Sequence, residues 1–436
     1  MRESLPSGGL FADQHWRTAT TPFPIGESLA LEIESFGRVL LQFYRAVNLL
    51  YRHSVLGKEP GWVAGWLDQG KPGELIELQR ATAFKNEIPR VLRPDILITE
   101  NGICISELDS VPGGIGLTAW LNHTYAKLKD KGLGGQGPIG GEQGMIEGFR
   151  SIFGNAANVF IVVSAEAATY RPEMVWLCER LNECEGRARF SVRDTTFTQF
   201  GPGDAVYRFF ELFDLPNVAS QQTIFAKAGA KEIMVTPPPK PIFEEKLLFA
   251  LLWNRNLQSF WRKNLGEAFF QRLLKVVPHT WIVDPTPLPP HAAIPHLNIT
   301  NWEQLKTMSQ RERDLILKVS GYSEKAWGAR GVYLGSDLSL AEWSEAVDRA
   351  LREFPHSPCV LQVYEKPKTI DFPWFDFEVN EIRAMPGRVR LCPYYFVGGE
   401  GDATQAKLGG ILGTICPADK KIIHGMKDAI LAPCSV

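Results

Sequence analysis

The stretch at residues 93–114 constrains the fold of this chain more than any other. An apolar run at residues 96–98 is followed by the turn residues Glu100-Asn101-Gly102, and isoleucines resume at Ile103 and Ile105. Because Asn and Gly tolerate positive φ angles, this pattern predicts a β-hairpin that closes at the Asn-Gly pair.

Three carboxylates lie on this predicted hairpin, Asp95 on its first strand and Glu107 and Asp109 on its second. Glu107 and Asp109 are two residues apart, so on a strand both point to the same face. The predicted turn also brings Asp95 close to them. Carboxylates held together repel one another, and oxygen ligands suit a Mg²⁺ that bridges to nucleotide phosphates. The cluster therefore indicates a cation site, with a solvated hairpin edge carrying chance acids as the alternative.

The spacing of these residues resembles the metal-binding hairpin of ATP-grasp ligases. Arg93-x-Asp95 is followed by Glu107-x-Asp109 and then by Ser110 and Pro112-Gly113. The offsets are most similar to those of the glutathionylspermidine synthase group, whose ATP-grasp elements come in a permuted order. That group usually has Asn where this chain has Asp109. Either residue can ligate a metal, and the extra charge would bear on metal count or affinity.

Length and charge bound the class of protein. The chain has 436 residues, which is too long for one simple core and predicts two or three lobes. Its hydrophobic content of 44% and charged content of 22% are typical of a soluble globular protein. A formal net charge of −2, with no long basic run, gives no reason to expect a nucleic-acid partner.

Cysteine usage and hydropathy bear on the compartment. The seven cysteines include no CxxC pair, which favours reduced thiols. The N-terminal residues show no apolar signal core, and no stretch reaches the length of a membrane span. We therefore expect a cytoplasmic protein without a membrane partner, and the sequence leaves the oligomeric state open.

Hydrophobic periodicity predicts the main elements. Apolar residues at helical spacing predict a long helix at residues 25–56. The glycine-rich residues 131–148 favour a mobile loop or lid over a phosphate cradle. Strands alternating with helices over residues 158–228 predict a small parallel α/β lobe. Within it, residues 204–213 are predicted to be helical and residues 223–228 to form a strand.

The resemblance implies an α+β and α/β fold class, namely an ATP-grasp fold in permuted order. ATP would lie between two α+β lobes, accompanied by the small parallel α/β lobe. Residues 1–150 would begin the metal-site lobe, and residues 151–240 would form the small lobe. Residues 241–370 would form the lobe with the lysine and the glycine loop, and residues 371–436 would return to the metal-site lobe.

A second constellation follows a predicted strand that ends near Lys318. The strand is followed by a short glycine-rich turn that contains Gly328, Arg330 and Gly331. A lysine ammonium is a compact cation for phosphate oxygens, and glycines let backbone N–H groups approach them. The alternative is a surface lysine before an ordinary hairpin. Together with the acidic hairpin, the pattern favours nucleotide binding, and it resembles the ATP-grasp lysine strand and glycine loop.

The strand at residues 359–365 resembles the ATP-grasp hinge. In that family the backbone of the hinge contacts adenine, while a nearby acid holds the ribose. The resemblance assigns this role to Gln362, Val363, Tyr364 and Glu365.

Two arginines, Arg388 and Arg390, share one face of a predicted strand near the C-terminus. Two guanidinium groups side by side are costly unless an anion or a carboxylate joins them. We expect them to bind a phosphate or a substrate carboxylate, or else to pair with Glu378 or Glu381. For His424 a functional role and a role in packing are both open.

The resemblance implies a carboxylate–amine ligase. ATP would phosphorylate a carboxylate, and an amine would displace phosphate from the acyl phosphate. Asp95, Glu107 and Asp109 would hold Mg²⁺, Arg93 would stabilise the transferring phosphoryl group, and Lys318 would hold the α- and β-phosphates. The implied cofactors are ATP and Mg²⁺, and the implied partners are a small-molecule carboxylate and a small-molecule amine.

Two other functions stay open on the sequence. The second phosphate-binding lysine of the family has no clear counterpart, although Lys275 and Lys306 are available. The chain is therefore alternatively a nucleotide-binding scaffold with weak or no catalysis. An ATP-dependent kinase on the same fold would differ only in its acceptor.

Overall fold

The computed structural model describes residues 5–12, 15–130, 132, 135–326, 328, 330–399, 401–423 and 427–436. The α-helices within this part of the chain are α1 (Gly9–Ala12), α2 (Glu27–Val55), α3 (Gly61–Asp68), α4 (Gly73–Arg80), α5 (Ile115–Asp130), α6 (Gly144–Ser151), α7 (Arg171–Glu185), α8 (Gln221–Gly229), α9 (Leu247–Trp253), α10 (Gln258–Leu265), α11 (Glu267–Val276) and α12 (Leu340–Glu353). The strands are β1 (Arg17–Ala19), β2 (Phe23–Pro24), β3 (Val91–Thr99), β4 (Gly102–Asp109), β5 (Val159–Val163), β6 (Phe190–Arg193), β7 (Ala205–Phe209), β8 (Met234–Thr236), β9 (Thr280–Ile282), β10 (Leu315–Val319), β11 (Val332–Leu334), β12 (Cys359–Val363), β13 (Thr369–Asp376), β14 (Glu381–Gly398), β15 (Gln405–Pro417) and β16 (Ile430–Ser435). The predicted mixed α/β class and the long helix α2 are confirmed.

The chain divides into two compact units. The first unit consists of Met1–Arg45, Ala81–Pro239 and Pro367–Val436. The second unit consists of Ala46–Arg80 and Lys240–Lys366. Each unit therefore combines chain segments that are distant in sequence.

The first unit contains an eight-stranded sheet with the strand order β13-β1-β16-β15-β14-β3-β4, and β2 pairs with β16. Strand β16 is parallel to β1 and to β2, and the other pairs are antiparallel. The predicted hairpin is confirmed as β3 and β4, with Thr99 opposite Gly102 at its closed end. Because β4 ends the strand order, the hairpin lies at one end of this sheet.

The first unit also contains a four-stranded parallel sheet with the order β6-β5-β7-β8. The parallel pairing agrees with the alternation of strands and helices in the sequence. Two elements were predicted wrongly here. Ala205–Phe209 is a fully buried strand and not a helix, and Gln221–Gly229 is a helix and not a strand. A short strand whose residues are all buried lacks the alternation of buried and exposed positions that separates a strand from a helix.

The glycine-rich segment after α5 is in part a packed helix and not a loop. Helix α6 begins at Gly144 and contacts strands β14 and β15. A Cβ atom on Gly140 would lie 1.9 Å from the carbonyl oxygen of Gly409, and one on Gly144 would lie 2.5 Å from it. Glycine is therefore needed at these positions for close packing. Residues 131, 133 and 134 of the predicted lid lie outside the described residues, as does His424.

The second unit contains a four-stranded antiparallel sheet with the order β11-β10-β12-β9. One face of this sheet packs against helix α12 through Trp343 and Val347. A capping box formed by Ser339 and Glu342 begins α12. Among the described residues of the whole chain, no helix is both long enough and apolar enough to cross a bilayer.

Candidate functional site

The hairpin formed by β3 and β4 brings four charged side chains to one face. Arg93 lies opposite Asp109 in the strand register, and Asp95 lies opposite Glu107. Residues directly opposite in an antiparallel pair point to the same side, as do residues two apart on one strand. The predicted proximity of the three carboxylates is therefore a feature of the register, which shifts only beyond Asp95.

Asp95 is the most buried carboxylate of this group, at 7% exposed. Its Oδ1 accepts a hydrogen bond from Arg93 Nε at 3.1 Å, and its Oδ2 accepts one from Arg390 Nη1 at 3.2 Å. The Cys392 thiol lies 3.5 Å from Oδ1. Strand β14 pairs with β3, so it delivers Arg390 and Cys392 to the same face as the hairpin acids.

Asp109 shares the guanidinium of Arg93. Its Oδ2 lies 2.9 Å from Arg93 Nη2, and its Oδ1 accepts the backbone N–H of Val111 at 2.9 Å. Burial raises the pKa of Asp109 above its usual range, and the charge of Arg93 opposes that shift. Burial also lowers the pKa of Arg93, but the carboxylates of Asp95 and Asp109 outweigh it and hold that pKa well above the ordinary value.

Asp95, Glu107 and Asp109 fit Mg²⁺ in their donor chemistry, since all three supply carboxylate oxygens. Three carboxylates and two guanidinium groups also leave the cluster with a net charge of −1, which favours a further cation. The geometry is nonetheless that of an arginine-bound cluster. In the part of the chain that the structure describes, no three His, Cys, Asp or Glu side chains converge as a ligand set. The magnesium site therefore stays a prediction.

The two arginines of the predicted anion site, Arg388 and Arg390, lie on β14 and have separate partners. Arg390 pairs with Asp95, as described above, and not with the predicted Glu378 or Glu381. Arg388 Nη1 donates to the carbonyl oxygen of Lys420 at 3.0 Å. The Nε atoms of both arginines are buried without an acceptor among the described residues. These two donors are the part of the predicted anion site that the protein itself leaves unused.

Lys318 is a buried residue of a central strand and not a surface lysine, at 6% exposed. Its Nζ donates to Gln362 Oε1 at 2.8 Å, and Gln362 Nε2 donates to Thr280 Oγ1 at 3.1 Å. The Thr280 hydroxyl donates in turn to the carbonyl oxygen of Pro278 at 2.8 Å. The relay holds the side chains of Lys318 and Gln362 together on one face of the sheet.

The predicted glycine turn lies close to the end of β10. The carbonyl oxygen of Gly331 accepts a hydrogen bond from the N–H of Val319 at 3.0 Å. A Cβ atom on Gly331 would lie 2.7 Å from the carbonyl oxygen of Lys325. Gly328 has a φ of +66°. Arg330 is exposed, and its neighbours Trp327 and Ala329 lie outside the described residues. Glycine at positions 328 and 331 is thus explained by backbone conformation and close packing.

The predicted adenine hinge has its backbone donors engaged within the protein. The N–H of Val363 donates to the carbonyl oxygen of His279, and that of Tyr364 donates to Asp314, both at 3.0 Å. Gln362 belongs to the relay of Lys318, and Glu365 follows β12 as a half-buried residue. Their contact with a nucleotide stays a prediction.

Neither lysine considered for the second phosphate contact lies in a site. Lys275 is exposed at the end of α11. Lys306 is paired with Glu303 and with Asp348, and the Nζ–Oδ1 distance to Asp348 is 2.6 Å.

Sequence reasoning missed two residues that support the predicted site, Thr280 and Glu173. Thr280 lies in a short strand with no motif around it. Glu173 is a fully buried carboxylate that follows Pro172 at the start of α7. The only sequence signal for Glu173 is an acidic residue in the first turn of a helix, which is common.

No protein-family model matches the chain, and no curated protein matches it in sequence. A solved structure with a similar fold is that of a glutathione synthetase-like effector (GSS30) from Globodera pallida in its apo form. It is 11% identical, the match covers 96% of this chain and 90% of that chain, and the TM-score is 0.55.

A presumed gamma-glutamylcysteine synthetase from Methylobacillus flagellatus KT also matches. It is 10% identical, the match covers 89% of this chain and 87% of that chain, and the TM-score is 0.39. The likeness to the effector concerns the fold alone, and the second match is too distant to carry an argument.

Proposed function

We propose that this chain is an ATP- and Mg²⁺-dependent carboxylate–amine ligase of the permuted ATP-grasp type, similar to glutathionylspermidine synthase. The observation that carries the proposal is the charge cluster on the β3–β4 hairpin. The ion pairs of this cluster join Arg93 to Asp95 and Asp109, and Arg390 to Asp95. The four side chains are 10–25% exposed. The likeness in fold to a glutathione synthetase-like protein is consistent with it.

A mostly buried cluster of ion pairs adds little to the stability of the fold. Removing ions from water costs several kcal/mol each, so well-packed apolar residues would often serve stability equally well. Several ionisable groups with strongly shifted pKa values in one place are typical of a functional site. The raised pKa values of Arg93 and Asp109 therefore favour a chemical role for this face.

In this proposal Arg93 would contact the transferring phosphoryl group. A guanidinium has five N–H donors, and three of them serve Asp95, Asp109 and the carbonyl oxygen of Gly113. Within the described part of the chain, the other two donors would be available for phosphate oxygens, in a geometry that the two carboxylates fix. An arginine held in this way stabilises charge on the phosphoryl group without reorganising during the reaction.

The remaining residues have supporting roles in this proposal. Asp95, Glu107 and Asp109 would hold Mg²⁺, which when bound neutralises charge on the phosphates. Lys318, with its orientation set by Gln362, would contact phosphate oxygens of ATP, near the glycine turn at Gly331. The unused Nε–H of Arg390 would donate a hydrogen bond to an oxygen of a substrate carboxylate or phosphate.

The proposed reaction has two steps. A carboxylate oxygen of the substrate attacks the γ-phosphorus of ATP, the bond to the β-γ bridging oxygen breaks, and ADP leaves. The amine then attacks the acyl carbon, inorganic phosphate leaves with the electrons of the broken C–O bond, and the amine loses one proton. The products are an amide, ADP and phosphate.

Trapping the acyl phosphate tests this proposal. The protein would be incubated with Mg²⁺, ATP, hydroxylamine and a panel of amino acids and short peptides as carboxylates. We expect ADP and a hydroxamate to form in equal amounts for at least one acid, and Arg93→Met to abolish both. The matched control is Arg187→Met, which changes an exposed arginine.

Each negative result distinguishes the proposed ligase from one of the two alternative functions. ATP binding with no ADP formed from any acid or alcohol would favour a nucleotide-binding protein without turnover. That alternative has support in the two arginines that already engage Asp95. ADP formed together with a stable phosphorylated alcohol, and no hydroxamate, would indicate a kinase.

A further inference from the structure

Glu173 is a buried carboxylate that the proposed reaction does not use directly. It lies in the first turn of α7, and its exposed fraction is 0%. Its Oε1 accepts the backbone N–H of Gly114 and its Oε2 accepts that of Leu117, each at 2.7 Å. One carboxylate therefore caps the N-terminus of α5 from a different helix.

The cap is supplied from elsewhere because the chain offers none at this point. The residue before α5 is Gly114, which has no side chain to accept the first N–H groups of the helix. The N-terminus of a helix carries unpaired donors and favours negative charge. The carboxylate of Glu173 satisfies both requirements.

The peptide unit between Gly113 and Gly114 connects Glu173 to Arg93. Its N–H end donates to Glu173, and its carbonyl oxygen accepts Arg93 Nη1 at 3.1 Å and the Tyr394 hydroxyl at 2.7 Å. A trans peptide unit is planar, so the direction of its N–H fixes the direction of its carbonyl. Holding the N–H end therefore sets where the Arg93 guanidinium is bound.

Close packing leaves this peptide unit little freedom. A Cβ atom on Gly113 would lie 2.1 Å from Cε1 of Tyr170, and one on Gly116 would lie 2.1 Å from the carbonyl oxygen of Glu173. Gly114 has a φ of +84°, a conformation that favours glycine. The glycines at positions 113 and 116 thus admit Tyr170 and the start of helix α7 next to the hairpin.

We propose that Glu173 is a positioning residue for phosphoryl transfer, which orients the Arg93 guanidinium through the Gly113–Gly114 peptide unit. This inference rests on the proposed function of Arg93. It assigns to α7 a role in the reaction through the orientation of Arg93.

A double-mutant cycle tests the inference. Glu173→Gln places an amide N–H₂ against at least one of the backbone donors, which weakens the hold on the Gly113–Gly114 peptide unit. We expect kcat for hydroxamate formation to fall about tenfold or more, while KM for ATP changes less than about twofold. In the Arg93→Lys background the same substitution should lower kcat by less than about threefold, since the group it orients is already changed.

Glu179→Gln is the matched control, because Glu179 is an exposed residue of the same helix. It should leave kcat unchanged in either background. If the effects of Glu173→Gln and Arg93→Lys on kcat simply multiply, the two residues act independently. That result would overturn the inference and leave Glu173 as a structural cap. If Glu173→Gln does not fold, Glu173→Asp, which keeps the charge but shortens the reach, enters the same cycle.

A second readout separates this inference from the proposed function. If the wild-type protein forms no hydroxamate with any acid, the proposed function fails. The wild type, the two single variants Glu173→Gln and Arg93→Lys, and the double variant are then compared by urea unfolding. Non-additive changes of the midpoint would support the coupling of Glu173 to Arg93, and additive changes would overturn it.

Discussion

Arg93 and Asp109 face each other across the β3–β4 hairpin, with Nη2 and Oδ2 separated by 2.9 Å. The same guanidinium reaches Asp95 through Nε and the carbonyl oxygen of Gly113 through Nη1. One arginine therefore joins both hairpin strands to the turn that leads into α5. The first prediction follows from this arrangement.

Replacing Arg93 by Met should destabilise the protein although the volume is nearly kept. Asp95 and Asp109 would stay mostly buried without their shared cation, and breaking a buried pair costs about 3–5 kcal/mol. The partial exposure of Arg93 and Asp109 reduces this to roughly 2–3 kcal/mol. Urea unfolding at pH 7 measures it, with Arg187→Met as the control. A midpoint equal to that of the control would show that the cluster does not depend on Arg93.

Glu173 should make stability depend on pH. Burial raises its pKa from 4.5 to about 7, against the hydrogen bonds from Leu117, Gly114 and Gly116. The folded state then binds more protons than the unfolded state between these pH values, so the free energy of unfolding falls as pH rises through this window. A shift of this size corresponds to roughly 3 kcal/mol.

The measurement is the urea midpoint at pH 5 and at pH 7.5. We expect Glu173→Gln to flatten the decline seen in the wild type, and Glu179→Gln to keep it. Glu173 interacts electrostatically with Arg93, Tyr170, Tyr207 and Tyr394, whose raised pKa values all lie above this window. An equal decline in Glu173→Gln would place the titrating group elsewhere.

The relay of Lys318, Gln362 and Thr280 should set the affinity for ATP. Thr280→Val keeps the shape of the side chain but removes the acceptor of Gln362 Nε2, so the amide is free to turn and Lys318 loses its fixed partner. We expect ATP to bind about three- to tenfold more weakly, which corresponds to the loss of about one hydrogen bond. Equilibrium titration measures this, with Thr307→Val as an exposed control. Unchanged affinity would mean that Lys318 needs no orientation by the relay.

The capping box at the start of α12 gives a prediction that is independent of function. Ser339→Ala removes the acceptor of the Glu342 N–H and should lower stability by about 1 kcal/mol. Thermal unfolding checks it, and ATP binding should not change. A loss of binding without a loss of stability would contradict the assignment of these residues to the fold.

The acidic hairpin was predictable because its causes are local. The Asn-Gly turn and the period of two between Glu107 and Asp109 determine the register, and the register determines which side chains meet. The strand that contains Lys318 was predictable for the same reason, because a short apolar run there ends just before glycines. In both cases the signal lies within about 20 residues.

The partners of these groups were not predictable, because they come from distant parts of the chain. Arg390 meets Asp95 across 295 positions, and only the strand order β14-β3 brings them together. Glu173 reaches Gly114 across 59 positions. Strand β7 was predicted as a helix because all five of its residues are buried, so that no polar face marks its period.

Calorimetric titration of ATP into the protein, with and without Mg²⁺, tests the central claim most directly. We expect binding that strengthens at least tenfold with Mg²⁺ and that Lys318→Ala loses, whereas the exposed control Lys275→Ala retains it. Asp95→Asn should keep weak binding and lose its dependence on Mg²⁺. If the folded wild-type protein binds no ATP under either condition, the chain has this fold without the proposed nucleotide chemistry.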